Sequence, residues 1–457
     1  MAFFAKQFIE AIPQHEGETL TLAGMVWRVR DHGKVAFCDL QDATGTVQIV
    51  ATSDAPDALH TLRQARPMTP VVVRGMVRRR PEKLVNPKER FGKWEVGAEY
   101  ITVLAEPEEP PFDLDSDDIS IETLLDYRPV TARRPRERAI FRIQAGIVRA
   151  YRKALEARHF TEIQAPKIVG GDAEGGANVF PVQYLRGVEA ALATSPQLYK
   201  QIMVGAFERV FAVGPVFRAE KHATTRHLNE YVSLDAEMGF IEDHRDVMRI
   251  LEGVIRDIVA AITQEHAYDL ALLGAHEPLV PHREFPVIRL PEALALITEQ
   301  TGRDVRNEPD LSPEDERWLS AWAREEHNSD FLFVTHYPTH KRPFYTKPDP
   351  EDPELTRSFD LLFRGVEITT GGQRLHLAAE YEKRLKERGL DPKVFSFYLM
   401  AFRYGMPPHG GWGMGLERLT QKMCGLASVK EATLFVRDIT RIDSRLATQQ
   451  EELSHEA

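Results

Sequence analysis

From Tyr231 to Phe240 polar and apolar side chains alternate without a break, and this alternation constrains the fold more than any other feature of the chain. A period of two belongs to a strand: Val232, Leu234, Ala236, Met238 and Phe240 share one face, and Tyr231, Ser233, Asp235 and Glu237 share the other. One face is core and the other is a ligand wall. Upstream stand Phe217-Arg218-Ala219-Glu220 and a basic loop through Arg226 and His227. The hairpin therefore offers cations, carboxylates and one aromatic ring together, a set that suits ATP plus an amino acid. Arg218 either bridges a carboxylate and a phosphate bidentately or closes the strand as a salt bridge with Glu220. Tyr231 either stacks on a base or covers the sheet.

Three further segments carry chemistry. Gly410-Gly411-Trp412-Gly413-Met414-Gly415-Leu416-Glu417-Arg418 spaces its glycines as GxGxG, which fails the GxGxxG dinucleotide pattern and lacks the Lys-Ser/Thr of a P-loop. It reads either as a strand-to-helix turn with a surface arginine or as backbone approached by a flat ring, with Arg418 on adenine or the γ-phosphate. In Ser358 to Glu367, Asp360 and Glu367 lie seven apart, on opposite faces of an ideal strand, unless Gly365 marks a bulge that restores them to one side. Such a pair is either solvated surface or a Mg²⁺ holder at a polyphosphate site. Ser195 can cap a helix that Pro196 opens, with Gln197 and Lys200 one turn apart on a shared face.

The 457 residues allow two to four domains at ~100–200 residues each. No stretch approaches the ~20 apolar residues of a membrane span, and Met1 to Pro13 is too short and mixed for a signal peptide, so a cytoplasmic location is expected. Cys38 and Cys424 stand far apart without metal spacing and are expected as buried thiols. A net charge of −11 counts against a nucleic-acid partner unless basic residues gather locally. Leu20 to Arg30, Val35 to Gln41, Thr46 to Ala51, Val71 to Arg78 and Glu95 to Leu104 read as five short strands, a small barrel of OB type. The organisation expected is a barrel domain over 1–105, an acidic Pro-rich linker over 106–134, a second domain over 135–445 and a polar tail over 446–457. In the second domain Ile140, Ile143, Ile147, Val148, Tyr151 and Leu155 form a helical stripe, and about 263–330 looks like an insertion.

Together these segments resemble the signature motifs of class II aminoacyl-tRNA synthetases, in the lysine/aspartate/asparagine subgroup, over nearly the whole chain. The helix leading to Phe160–Pro166 resembles motif 1, the dimer-forming element, Phe217 to Glu237 motif 2, and Gly411 to Arg418 motif 3. The resemblance implies an α+β fold: an OB anticodon-binding barrel followed by a catalytic domain on an antiparallel sheet flanked by helices, in a homodimer. Residue by residue, it assigns Arg218 to the α-phosphate and amino-acid carboxylate, and Glu220 and Tyr231 to adenine. Arg226, His227 and Arg418 go to the rest of ATP, and Asp360 and Glu367 to Mg²⁺. Asp235, with Glu174 of a mobile loop, would take the α-ammonium. Lys200 and Arg374, with Gln197, would face the substrate side chain. Asparagine-specific relatives lack the lysine, so the extra cation implies L-aspartate, activated by ATP and passed to tRNA-Asp and, in relaxed enzymes, tRNA-Asn.

For the barrel, the resemblance implies that Arg30, Phe37 and Gln48 contact the anticodon, with Phe37 either stacking a base or filling the barrel core. Arg74, Arg78, Arg79 and Arg80 supply a candidate basic patch. Three positions depart from the family pattern: Tyr231 for a commoner phenylalanine, Thr194 for glutamine, and Trp27, which bears on tRNA choice. An asparagine-specific enzyme and a catalytically silent RNA-binding relative are the rival readings.

Overall fold

The structure, a computed structural model, describes residues 6–170, 179–222 and 224–443. The chain divides into two compact units, Met1–Asp117 and Asp118–Ala457. Glu174, in the Ala173-Glu174-Gly175-Gly176 segment, and the polar tail lie outside the described residues. Among those described, no helix is long and apolar enough to cross a membrane.

The first unit is the expected barrel. Strands β1 (Thr19–Asp31), β2 (Val35–Gln41), β3 (Thr46–Thr52), β4 (Pro70–Arg79) and β5 (Trp94–Val103) close in the order β1-β2-β3-β5-β4. Alternate residues turn inward, so Ala36, Cys38 and Leu40 of β2 meet Val47, Ile49 and Ala51 of β3 in one core. Burying each large aliphatic side chain contributes about 1.5–3 kcal/mol. A helix that the strand pattern gave no sign of, Pro56–Gln64, adds Leu59 and Leu62 to this core. Phe37 lies on the outward face, edge-on to His32 at 5.7 Å, so it is not barrel core. The segment after β5 is tethered rather than free. Asp115 accepts from Trp27 Nε1 at 3.0 Å and from Arg28 Nη2 at 2.6 Å.

The second unit is built on an eight-stranded sheet. Its strand order is Val287–Arg289, Phe331–Thr335, Ser358–Phe363, Val366–Gln373, His409–Gly415, Glu230–Gly239, Arg209–Phe217, Thr161–Glu162. The six central strands pair antiparallel as expected, and each edge strand adds a parallel pairing. Helices Pro135–Glu156 and His244–Glu265 pack on one face. The expected stripe is there: Ile140, Ile143, Ile147, Tyr151 and Leu155 are fully buried against Leu234, Ala236 and Met238. Phe240 is the exception to the alternation. The strand ends at Gly239, and Phe240 turns out at φ 58° with 73% of its surface exposed.

Residues 263–330 are woven into the sheet. Val287–Arg289 forms its edge, and helices Leu290–Thr301 and Pro313–His327 bury Leu294, Ile297 and Leu319 against Leu332 and Val334. Cys38 and Cys424 are free and buried.

Candidate active site

The sheet face away from the long helices holds a cavity of about 370 Å³. Its floor is cut into the sheet by glycine. His409–Gly415 runs between the strands carrying Asp235 and Thr370. An added Cβ on Gly411 would stand 2.1 Å from the Ala236 carbonyl oxygen and 2.4 Å from Glu237 Oε2, and on Gly413 3.2 Å from Asp235 Oδ1. The glycines thus make room for acidic side chains of the next strand to lie across their own.

Those acids form a compact network with two cations. Lys200, on helix Gln197–Phe207, has no exposed surface; its Nζ donates to Asp235 Oδ1 at 2.9 Å and the Trp412 carbonyl at 2.7 Å, and lies 3.4 Å from Glu237 Oε2. Arg374 Nε donates to Glu237 Oε1 at 2.9 Å, and its Nη2 to the Gly411 carbonyl at 3.0 Å and Gln197 Oε1 at 3.4 Å. Burial pushes the Glu237 carboxyl up, but Arg374 and then Lys200 overcome it and hold it below its ordinary value. Two positive and two negative charges thus balance before any ligand is present. Arg374, Gln197 and Asp235 line the cavity, whereas Lys200 lies behind it, because both carboxylates and the Trp412 carbonyl claim its protons. Asp235 Oδ2, buried, accepts no hydrogen bond among the described residues. Such an acceptor suits an ammonium group.

The other group gathers cations. Arg218, Arg226, His227 and Arg418 all line the cavity, as do Glu220 and Tyr231. Arg218 Cζ sits 5.9 Å from the Tyr231 ring centre, and Tyr231 packs beside Leu228, Val429 and Val436. Burial, and then the neighbouring Arg418 and Arg226, hold the His227 imidazole below its ordinary pKa, against the pull of Glu220. Arg418 Nη1 donates to the Glu367 carbonyl at 3.0 Å.

Asp360 and Glu367 are not on one bulged strand. Arg364 and Gly365 both take left-handed φ, 49° and 82°, and turn the chain into a tight hairpin between Ser358–Phe363 and Val366–Gln373. The register shift falls at Leu361/Leu362, not at Gly365. Glu367 reaches the cavity, accepts from Thr370 Oγ1 at 2.8 Å, and is kept ionised against its burial by Arg418 and Thr370. Asp360 does not line the cavity. Its Oδ2 accepts from Arg342 Nη2 at 2.7 Å, and burial raises its pKa. Among the described residues no three His, Cys, Asp or Glu side chains are gathered to hold a metal. A lone ionised Glu367 beside a hydroxyl fits Mg²⁺ carried mainly by phosphate oxygens. Arg342 and Tyr345 are lining residues that the sequence motifs missed; Lys341-Arg342-Pro343 was a readable basic signal.

On the barrel a smaller cavity of about 130 Å³ is lined by Arg30, Gln48, Asp39 and Arg80, with Asn86 and Glu89. Arg30 Nη2 donates to Asp39 at 2.8 Å and Gln48 at 3.3 Å, and Gln48 Nε2 donates to Glu95 at 3.2 Å. The expected basic patch is tempered: Arg74, Arg79 and Arg80 each stand within 4.0 Å of a carboxylate, those of Glu99, Glu16 and Glu95.

Residues 120–439 match the family model of tRNA synthetases class II (D, K and N), and residues 20–104 match an OB-fold nucleic acid binding domain. An aspartate–tRNA(Asp/Asn) ligase of Deinococcus radiodurans is 46% identical, covering 94% of this chain and 97% of that protein. An aspartate–tRNA(Asp) ligase of Thermococcus kodakarensis is 39% identical over 95% and 98%. The asparaginyl-tRNA synthetase of Pyrococcus horikoshii complexed with asparaginyl-adenylate superposes with a TM-score of 0.86 at 31% identity, covering 96% of this chain and 99% of that one. The chain belongs to the class II tRNA synthetases of the aspartate, lysine and asparagine group.

Proposed function

We propose that this enzyme is an aspartate–tRNA ligase, which joins L-aspartate to ATP as aspartyl-adenylate and then to the 3′ end of tRNA-Asp. The observation that carries this reading is the charge-balanced network of Lys200, Asp235, Glu237 and Arg374 beside a second set of phosphate-binding cations. The Asp235 Oδ2 acceptor takes the substrate ammonium, and Arg374, backed by Lys200 and flanked by Gln197, takes the side-chain carboxylate. Arg218 holds the α-carboxylate against the α-phosphate. A carboxylate oxygen attacks the α-phosphorus and pyrophosphate leaves; the terminal ribose hydroxyl of tRNA then attacks the acyl carbon and AMP leaves. No side-chain nucleophile is needed. Arg218, Arg226, His227 and Arg418 meet charge as it develops on the phosphates, the kind of contact whose loss costs about 10²–10³ in rate. Glu367, with Thr370, would hold Mg²⁺, which would neutralise phosphate charge when bound; Asp360 is paired with Arg342 instead.

ATP–pyrophosphate exchange tests the reading. It should depend on aspartate and ignore asparagine; dependence on asparagine alone would make the chain an asparaginyl enzyme, and background exchange with every amino acid a silent RNA-binding relative. Arg30, Phe37 and Gln48 are the proposed anticodon contacts. The Deinococcus relative is named for both tRNA(Asp) and tRNA(Asn), so charging assays with each purified tRNA decide the acceptor range. A homodimer through the Pro135–Glu156 helix and the strand after it is the proposed assembly, checked by sedimentation.

A further inference from the structure

Glu316 lies outside every sequence motif yet touches two of them. It sits in the first turn of helix Pro313–His327, whose start is fixed by a Ser312/Asp315 capping box and by Arg303 on Asp315 at 2.7 Å. The next residue, Arg317, packs over the hairpin turn, where an added Cβ on Gly365 would meet its Cγ at 3.0 Å. From this platform one carboxylate oxygen, Oε2, accepts from both Arg226 Nη2 and the Glu367 backbone N–H, the latter at 3.0 Å. Arg226 belongs to the loop joining Arg209–Phe217 to Glu230–Gly239 and lines the cavity, while Glu316 is buried and does not.

We propose that Glu316 is a positioning residue for ATP, clamping the Arg226 guanidinium and tying its loop to the strand that carries Glu367. The proposal rests on the cavity being an ATP site. A long arginine on a connecting loop samples many rotamers, and a clamp that removes this freedom before binding leaves less to be lost when the polyphosphate arrives. Holding Arg226 and Glu367 on one oxygen also fixes the separation between a phosphate-binding cation and the ionised carboxylate.

The test is ATP–pyrophosphate exchange by the full chain carrying Glu316→Gln, which keeps the shape and loses the charge. The KM for ATP should rise about tenfold, the worth of one charge-assisted hydrogen bond, with the KM for aspartate unchanged. In an Arg226→Ala background the same substitution should add nothing. Glu316→Asp, charged on a shorter arm, should fall between, and it carries the comparison if Glu316→Gln does not fold. Unchanged kinetics, equal rises in both Michaelis constants, or full additivity with Arg226→Ala would overturn the proposal. A wild-type chain without aspartate-dependent exchange would defeat the underlying ATP–aspartate reading instead.

Discussion

Removing the Lys200 ammonium would leave Asp235 and Glu237 close together with almost no solvent to screen them. Breaking a buried pair by deleting one partner costs about 3–5 kcal/mol, so Lys200→Ala should unfold at markedly lower urea. Its KM for aspartate should also rise far more than its KM for ATP. Equal rises would remove Lys200 from the amino-acid side. The chemistry types at this site were legible in the sequence, since Gln197, Lys200, Asp235 and Arg374 all stood in recognisable segments. Their order in depth was not. Nothing in the spacing of Gln197 and Lys200 says that one lines the cavity and the other lies behind it, because that depends on the Trp412 carbonyl arriving from 212 residues away.

At the scale of the element, the alternation in Glu230–Gly239 was readable because one buried face imposes it, whereas the Ser358–Gln373 hairpin was misread as one strand. A non-glycine residue at left-handed φ, Arg364, gives no warning in sequence; here its guanidinium is held by Asp330 at 2.8 Å. The residues near 316 were passed over as an insertion for a similar reason: the contacts that tie Glu316 to the site, with Arg226 and Glu367, reach across 90 and 51 residues. The glycine strand yields a graded prediction. Gly411→Ala drives a Cβ into rigid backbone and should cost about 1–3 kcal/mol or more of stability, as overpacking does; a thermal melt checks it. Gly413→Ala meets the side chains of Asp235 and Ser233 rather than backbone, so the fold should survive and the KM for aspartate should rise. On the barrel, Phe37→Ala should weaken tRNA binding by about 1–3 kcal/mol, the worth of one stacked base, leaving pyrophosphate exchange intact. Loss of exchange would mean that the barrel face serves something other than RNA.

For the whole catalytic unit, buried titratable groups pull stability in opposite directions. His244 and His409 are held down to about 4 by burial, so between there and the ordinary 6.5 the unfolded chain binds more protons and stability falls as pH drops. Glu417, pushed up to about 7 by burial, and Asp360, raised by burial, do the reverse: the native state keeps their protons, and stability falls as pH rises from the ordinary carboxylate range. His227, His336 and His376 are also held low and Glu316 is also held high, so five histidines oppose three carboxyls and the slopes, at most about 1.4 kcal/mol per pH unit each, cancel only in part. Stability should therefore fall only gently as pH drops from about 6.5 to about 4.5. Below that it should collapse as Glu237, Asp315 and Glu367, held low in the fold, take up protons. Glu417→Gln should steepen this fall toward acid and His409→Gln should flatten it; parallel curves for wild type and both variants would refute the partial cancellation.

The glycine strand under the cavity bears on how such a pocket can be remodelled. Because its floor is bare backbone, any larger side chain there fills the space the substrate needs or displaces the acids that shape it. Amino-acid preference is therefore open to change from the walls, at Gln197 and Arg374, and closed to change from below. A search for altered specificity that leaves His409–Gly415 untouched loses nothing by the omission.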